Sequence, residues 1–148
     1  MAEVTCENRN PARPVNIKAV ERAINEVLDC IGKKGSGLNI IFVSNQKIRA
    51  LNRRYLGRDS STDVIAFREG DLPRGERKTE GFLGDIAVSS DKTAQNAEKY
   101  GVSFSEELTL YVIHGILHLA GYEDRTGRGR ARMKKAENEI FKKIRTIS

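Results

Sequence analysis

Apolar residues along this chain change their spacing several times, and each change marks an element. Residues 2–7 read as a short edge strand, followed by a loop holding Pro11 and Pro14. Asn16 reads as the N-cap of a helix running through Ile31, because Val20, Ala23, Ile24, Val27, Leu28 and Ile31 recur at helical spacing. A glycine-bounded turn over 32–37 leads to a compact apolar run, LNIIFV at 38–43, which predicts a buried strand. Ser44 or Asn45 then caps a second helix reaching Tyr55, with Ile48, Leu51 and Tyr55 facing inward. Residues 63–67 (ending VIAF) predict a strand, REGDLPRGERKTE a long polar loop, and FLGDIAVS at 82–89 another strand. Asp91 opens a helix to Tyr100. Ser103 or Ser105 caps the helix LTLYVIHGILHL, with Glu106 and Glu107 suited to its N-terminal dipole. A last helix from about Thr126 to Ile144 aligns Met133, Ala136, Ile140 and Ile144. Interleaved helices and strands predict a single α+β domain over residues 1–148, with a mixed sheet of about four strands packed by about five helices.

Bulk properties narrow the class. At 148 residues the chain can bury a core without disulfides or metal staples. No apolar run approaches the ~20 residues that span a bilayer, and MAEVTCENRNPARPV has no secretory apolar segment. Cys6 and Cys30 do not form a disulfide framework, so reduced thiols and a cytoplasmic location are expected.

The densest chemistry lies in HGILHLAGYED, an H-x3-H-x5-D run made by His114, His118 and Asp124. Imidazoles four residues apart on a helix share a face, and both can reach one Zn²⁺ at about 2.0–2.1 Å. Gly121 stops the helix, and the chain turning back through Tyr122 and Glu123 brings Asp124 round as a third ligand, with Glu123 its competitor. Three protein ligands leave a fourth position open, the mark of a catalytic rather than structural zinc. The plainer alternative is a pair of half-buried histidines bonded to backbone. Against it, these are the only two histidines in the chain and a carboxylate follows them at ligand spacing. Zinc peptidases of the H-E-x-x-H type need a glutamate where this chain has Gly115, so peptide hydrolysis is disfavoured.

Charge then suggests the substrate. The net charge is +6, from 26 basic and 20 acidic side chains, and it is unevenly distributed. Arg125, Arg128, Arg130, Arg132, Lys134 and Lys135 follow the histidine motif, while Arg49, Arg53, Arg54 and Arg58 form a second cluster. Either cluster could be a solvated helix face, but beside a metal motif both favour a polyanion such as RNA. With 5 Phe, 4 Tyr and no Trp, base stacking is limited and weak sequence preference is expected.

Taken with LNRRYLGRDSSTDVIAF and FLGDIAVS, the histidine motif resembles the YbeY-type endoribonucleases, the rRNA maturation factors of bacteria. The resemblance runs in block order from about the 38–43 strand to the last helix. It implies a cytoplasmic, zinc-dependent, single-strand-specific endoribonuclease with one Zn²⁺ per chain. The implied role is 16S rRNA 3′-end maturation and ribosome quality control, with single-stranded RNA and ribosomal particles as partners and neither membrane nor DNA. His114 and His118 match the first two zinc histidines. The third ligand in the family is usually histidine, where this chain has Asp124. Asp85 matches the family's G-D strand residue, either catalytic or backbone-fixing. The family's arginine slot before G-[KR]-D holds Leu56 here, so Arg58, with Arg53 and Arg54 as further RNA contacts, is the candidate for neutralising phosphate charge. A ribosome-assembly RNA-binding factor with structural zinc is the rival reading.

Overall fold

The computed structural model describes residues 2–59, 62–69 and 80–148. In chain order the elements are β1 (Val4–Asn8), α1 (Ile17–Cys30), β2 (Gly37–Val43), α2 (Asn45–Leu56) and β3 (Val64–Arg68). They continue with β4 (Phe82–Ser89), α3 (Ser90–Tyr100), α4 (Phe104–Leu119) and α5 (Gly127–Lys143). The strands form one sheet in the order β1-β2-β4-β3, with β1, β2 and β4 parallel and β3 antiparallel to β4. This is the expected mixed α+β architecture, with β1 on an edge. The long polar loop expected over REGDLPRGERKTE falls mostly on residues 70–79, outside the described residues.

Local chemistry sets each helix boundary. Asn16, Ser44, Ser89, Ser103 and Thr126 each accept a backbone N–H of the first turn through the side chain. Ser103, rather than Ser105, caps α4, and Glu106 completes a capping box by accepting the Ser103 N–H. At the other end of α4, Gly121 takes φ +103°. The Tyr122 N–H then reaches the Leu117 carbonyl and the Gly121 N–H reaches that of His118, at 3.0 and 3.1 Å. That pair of bonds is a Schellman cap, which glycine can form without strain and which turns the chain toward Asp124.

Strand alternation divides the sheet into two faces. Ile40, Phe42, Ile86 and Val88 join the main core beneath α1 and α4. Val43, Ile65, Phe67 and Ala87 point the other way and pack with Ile48 of α2. The α2 expectation needs one correction. Its buried positions are Ile48 and Asn52, whereas Tyr55 is 40% exposed on the rim and meets the Phe67 ring edge-on at 5.6 Å. Ile48 and Leu51 pack inward as the spacing predicts, but Asn52, a polar residue, takes the buried place expected of Tyr55.

Asp91 ties three elements together. Its carboxylate accepts from Asn10 Nδ2 (3.1 Å), Arg13 Nε (3.2 Å) and the Asn45 N–H that opens α2 (3.0 Å). Burial alone would raise its pKa, but the bonds from Asn45, Asn10 and Arg13 outweigh burial and hold it below the ordinary aspartate value. A depressed carboxylate stabilises the fold above its unfolded pKa, and that contribution fades as pH falls through the folded value. Asp91→Asn should therefore cost about 1 kcal/mol at pH 7 and progressively less below about pH 4, as read by urea melts at several pH values. An equal difference between the two proteins at pH 7 and pH 3 would remove Asp91 from this role.

Candidate metal and RNA-cleavage site

Helix α4 lies very close to the sheet, and that closeness decides where its histidines point. A Cβ built on Gly115 would stand 2.9 Å from Ile86 Cγ2 of β4, so position 115 faces the sheet directly. Glycine costs about 1 kcal/mol in a helix interior, and here clearance for the sheet accounts for it. A glutamate at 115 would point into β4, away from the groove that holds the His114 ring. Position 115 thus has neither the general base nor room for one, and peptide hydrolysis stays disfavoured.

His114 lies about 100° round the helix from that contact, at the floor of a groove of about 500 Å³ lined also by Asp63, Tyr100, Asp124, Lys134 and Glu137. Its Nδ1 donates to Glu137 Oε2 of α5 at 2.9 Å, and its Nε2 stands 3.9 Å from Asp124 Oδ2. The Glu137 bond raises the His114 pKa above the usual imidazole value. Burial opposes the shift, and the negative charges of Glu137, Asp124 and Asp63 add to it. Carboxylates on three elements thus surround one imidazole and favour a cation there, whether a proton or a metal ion.

The donor chemistry suits a metal. With Nδ1–H held by a buried carboxylate, Nε2 presents its lone pair on the Asp124 side, the outer-sphere arrangement that orients metal-binding histidines. Two ligands about 2.1 Å from a tetrahedral ion lie about 3.4 Å apart, near the observed 3.9 Å. His118 follows one turn later in α4, and Arg68 Nε on its carbonyl (3.2 Å) holds this end of the helix. Among the described residues, no three His, Cys, Asp or Glu side chains are already gathered closely enough to hold an ion.

The remaining candidates separate from this cluster. Asp85 lies on β4 between Gly84 and Ile86, and Ile86 faces α4. Its carboxylate therefore opens on the opposite sheet face, where Asn39 Nδ2 donates to it at 3.0 Å. Arg54 lies over the Tyr55 ring at 5.3 Å on that same side. Arg58 is exposed just beyond α2. Arg53 is 3.9 Å from Asp59, which also takes both bonds of Arg49 (2.9 and 3.2 Å), so Asp59 offsets part of this basic cluster. In the other cluster, Lys134 is the residue that lines the His114 groove.

Sequence reasoning missed Glu137 and Asp63. Glu137 carried a signal, since it falls four residues after Met133 and three before Ile140 on the apolar stripe of α5. A carboxylate on a buried stripe needs a partner, and here the partner is His114. Asp63 carried no comparable local signal.

A helix-borne imidazole, His114, bonded to a carboxylate of a neighbouring helix and approached by one from the following loop, on an α+β sheet, makes this groove the candidate site. A family model described as Endoribonuclease YbeY matches residues 5–145. The chain is 34% identical over 141 residues to the Endoribonuclease YbeY of Geobacter sulfurreducens, covering 94% of this chain and 93% of that one. It is 40% identical over 112 residues to that of Bacillus cytotoxicus, 72% of each chain. The solution structure of TM1509 from Thermotoga maritima is similar at a TM-score of 0.60 and 28% identity, covering 95% of this chain and 90% of that one. This chain belongs to the endoribonuclease YbeY family.

If Glu137 sets the state of His114, Glu137→Gln should lower the imidazole pKa. In metal-free protein, an NMR titration should give a His114 midpoint above 6.5 that moves down in the variant. Identical midpoints would show that the Glu137 bond does not act on this ring.

Proposed function

We propose that this protein is a zinc-dependent, single-strand-specific endoribonuclease of the cytoplasm that acts in 16S rRNA 3′-end maturation and ribosome quality control. One observation carries the reading: the carboxylate cup around His114, at the base of a groove with Lys134 on its wall, in a chain of the endoribonuclease YbeY family. No described helix is long and apolar enough to cross a membrane.

His114 Nε2, His118 and Asp124 are the groups that would hold the ion, one per chain. When bound, zinc polarises a phosphoryl oxygen and acidifies water. The chain's own residues do the rest. Glu137 fixes the His114 ring through its Nδ1–H, so the other ring nitrogen is presented as a lone pair. Lys134 supplies positive charge beside the reacting phosphate, where developing anionic charge is stabilised electrostatically. Arg53, Arg54 and Arg58 would meet RNA farther along the strand through phosphates, which favours affinity without sequence selection. Asp124 in place of the more usual histidine lowers the charge of the metal centre, yet carboxylate oxygen binds zinc at an ordinary distance of about 2.0–2.2 Å.

The direct test is a gel of end-labelled single-stranded RNA incubated with wild type, chelator-treated wild type and His114→Ala. Internal cuts should occur only in the untreated wild type, with little action on duplex RNA or on DNA. Equal cleavage in all three lanes would indicate a contaminating nuclease. No cleavage in any lane, with RNA binding intact, would favour an assembly factor with structural zinc.

A further inference from the structure

Asp124 sits on an exposed connection between α4 and α5, and the start of α5 holds that connection in place. Residues 123–128 are all exposed, so burial does little to fix them. An aspartate carboxylate stands one carbon beyond Cβ, so its position follows the main chain closely. The connection is fastened at its start by the cap at Gly121. At its far end, Arg130 Nη1 donates to the main-chain carbonyls of Asp124 (3.3 Å) and Arg125 (3.4 Å). Thr126 Oγ1 accepts the Gly129 N–H at 2.9 Å. A Cβ built on Gly129 would stand 2.5 Å from the Glu123 carbonyl oxygen, far inside contact distance. Gly129 is not among the glycines with positive φ, so clearance, and not backbone conformation, is what its missing side chain provides. Gly127, in the same turn, differs: a Cβ there would meet nothing nearer than Arg130 Nη2 at 3.8 Å.

We propose that Gly129 and Arg130 are positioning residues that hold Asp124 against the His114 groove for its part in binding the ion. Arg130 ties the carbonyl of Asp124 itself, and Gly129 lets the preceding residue lie directly on the helix. Neither residue lines the groove, so both act through the main chain of the loop. Ligand geometry tolerates displacements of only about 0.5 Å, and a Cβ forced against Glu123 exceeds that. The same helix carries Glu137, whose carboxylate accepts from His114 Nδ1 at 2.9 Å. Helix α5 thereby fixes both carboxylates that approach the His114 ring, one as its own side chain and the other through the loop.

This inference rests on the proposed role of Asp124 as a ligand, and its test separates the two. Zinc affinity of metal-free protein is measured by competition with a chromophoric chelator, for wild type, Gly129→Ala, Gly127→Ala and Arg130→Ala. Each variant is also made in an Asp124→Ala background. Gly129→Ala should weaken zinc binding about tenfold, the lower end of what an outer-sphere partner contributes. Alanine is the better helix former, so this loss runs against the change in helix propensity. Gly127→Ala should bind as wild type does. Arg130→Ala should weaken binding in the same direction, and its exposed position supplies the same comparison should Gly129→Ala not fold. With Asp124 already replaced, neither change should cause a further loss. Wild-type affinity in folded Gly129→Ala or in Arg130→Ala would overturn the role of that residue. An equal loss in the Asp124→Ala background would show a general effect on the fold and overturn both. No zinc binding by wild type, or undiminished binding by Asp124→Ala, would instead sink the ligand reading and the inference with it.

Discussion

The rest of the molecule depends on how closely α4 lies on β4, a contact that two glycines make possible. A Cβ on Gly115 of the helix would stand 2.9 Å from Ile86 Cγ2, and one on Gly84 of the strand would stand 2.9 Å from Leu119 Cδ2 and 2.1 Å from the Phe67 carbonyl. Each element gives up a side chain where the other needs room. Gly84 also takes φ +146°, a backbone region that L side chains rarely adopt. With the 115 position turned to the sheet, the rotation of α4 is set, and His114 must emerge at its flank beside α5.

Electrostatics follow from that geometry. A buried carboxylate such as Glu137 needs a donor, and α5 brings it 2.9 Å from the one ring nitrogen of His114 that faces it. The Schellman cap at Gly121 returns the chain so that Asp124 approaches the other nitrogen. Packing therefore assembles an anionic cup that favours a cation, and affinity for the ion does not have to pay for folding the domain. The sheet itself separates this cup from the bonded pair of Asn39 and Asp85, because consecutive strand residues point to opposite faces.

Local rules made much of this legible in the sequence. The four strands and five helices among the described residues follow from apolar spacing and capping residues, because those signals act over a few residues. The approach of Asp124 to His114 was legible for the same reason, since one helix end and one turn bring the two together. What escaped depends on contacts between distant segments. Glu137 is 23 residues from its partner, and only the packing of α5 on α4 joins them. The sheet face on which Asp85 opens, away from the histidines, was not legible either, because nothing local reveals which helix covers which face. Tyr55 read as inward because the buried centre of α2 is Asn52, a polar residue invisible to an apolar pattern.

A site organised by packing should outlast the loss of its metal. The most direct measurement is metal content paired with thermal melting, on wild type and His114→Ala after reconstitution with zinc and dialysis. Wild type should retain about one zinc per chain. His114→Ala should lose most of it while melting cooperatively with near-native circular dichroism. Wild type without bound metal, or a His114→Ala protein that is unfolded, would contradict a metal site carried by a fold that stands without the ion.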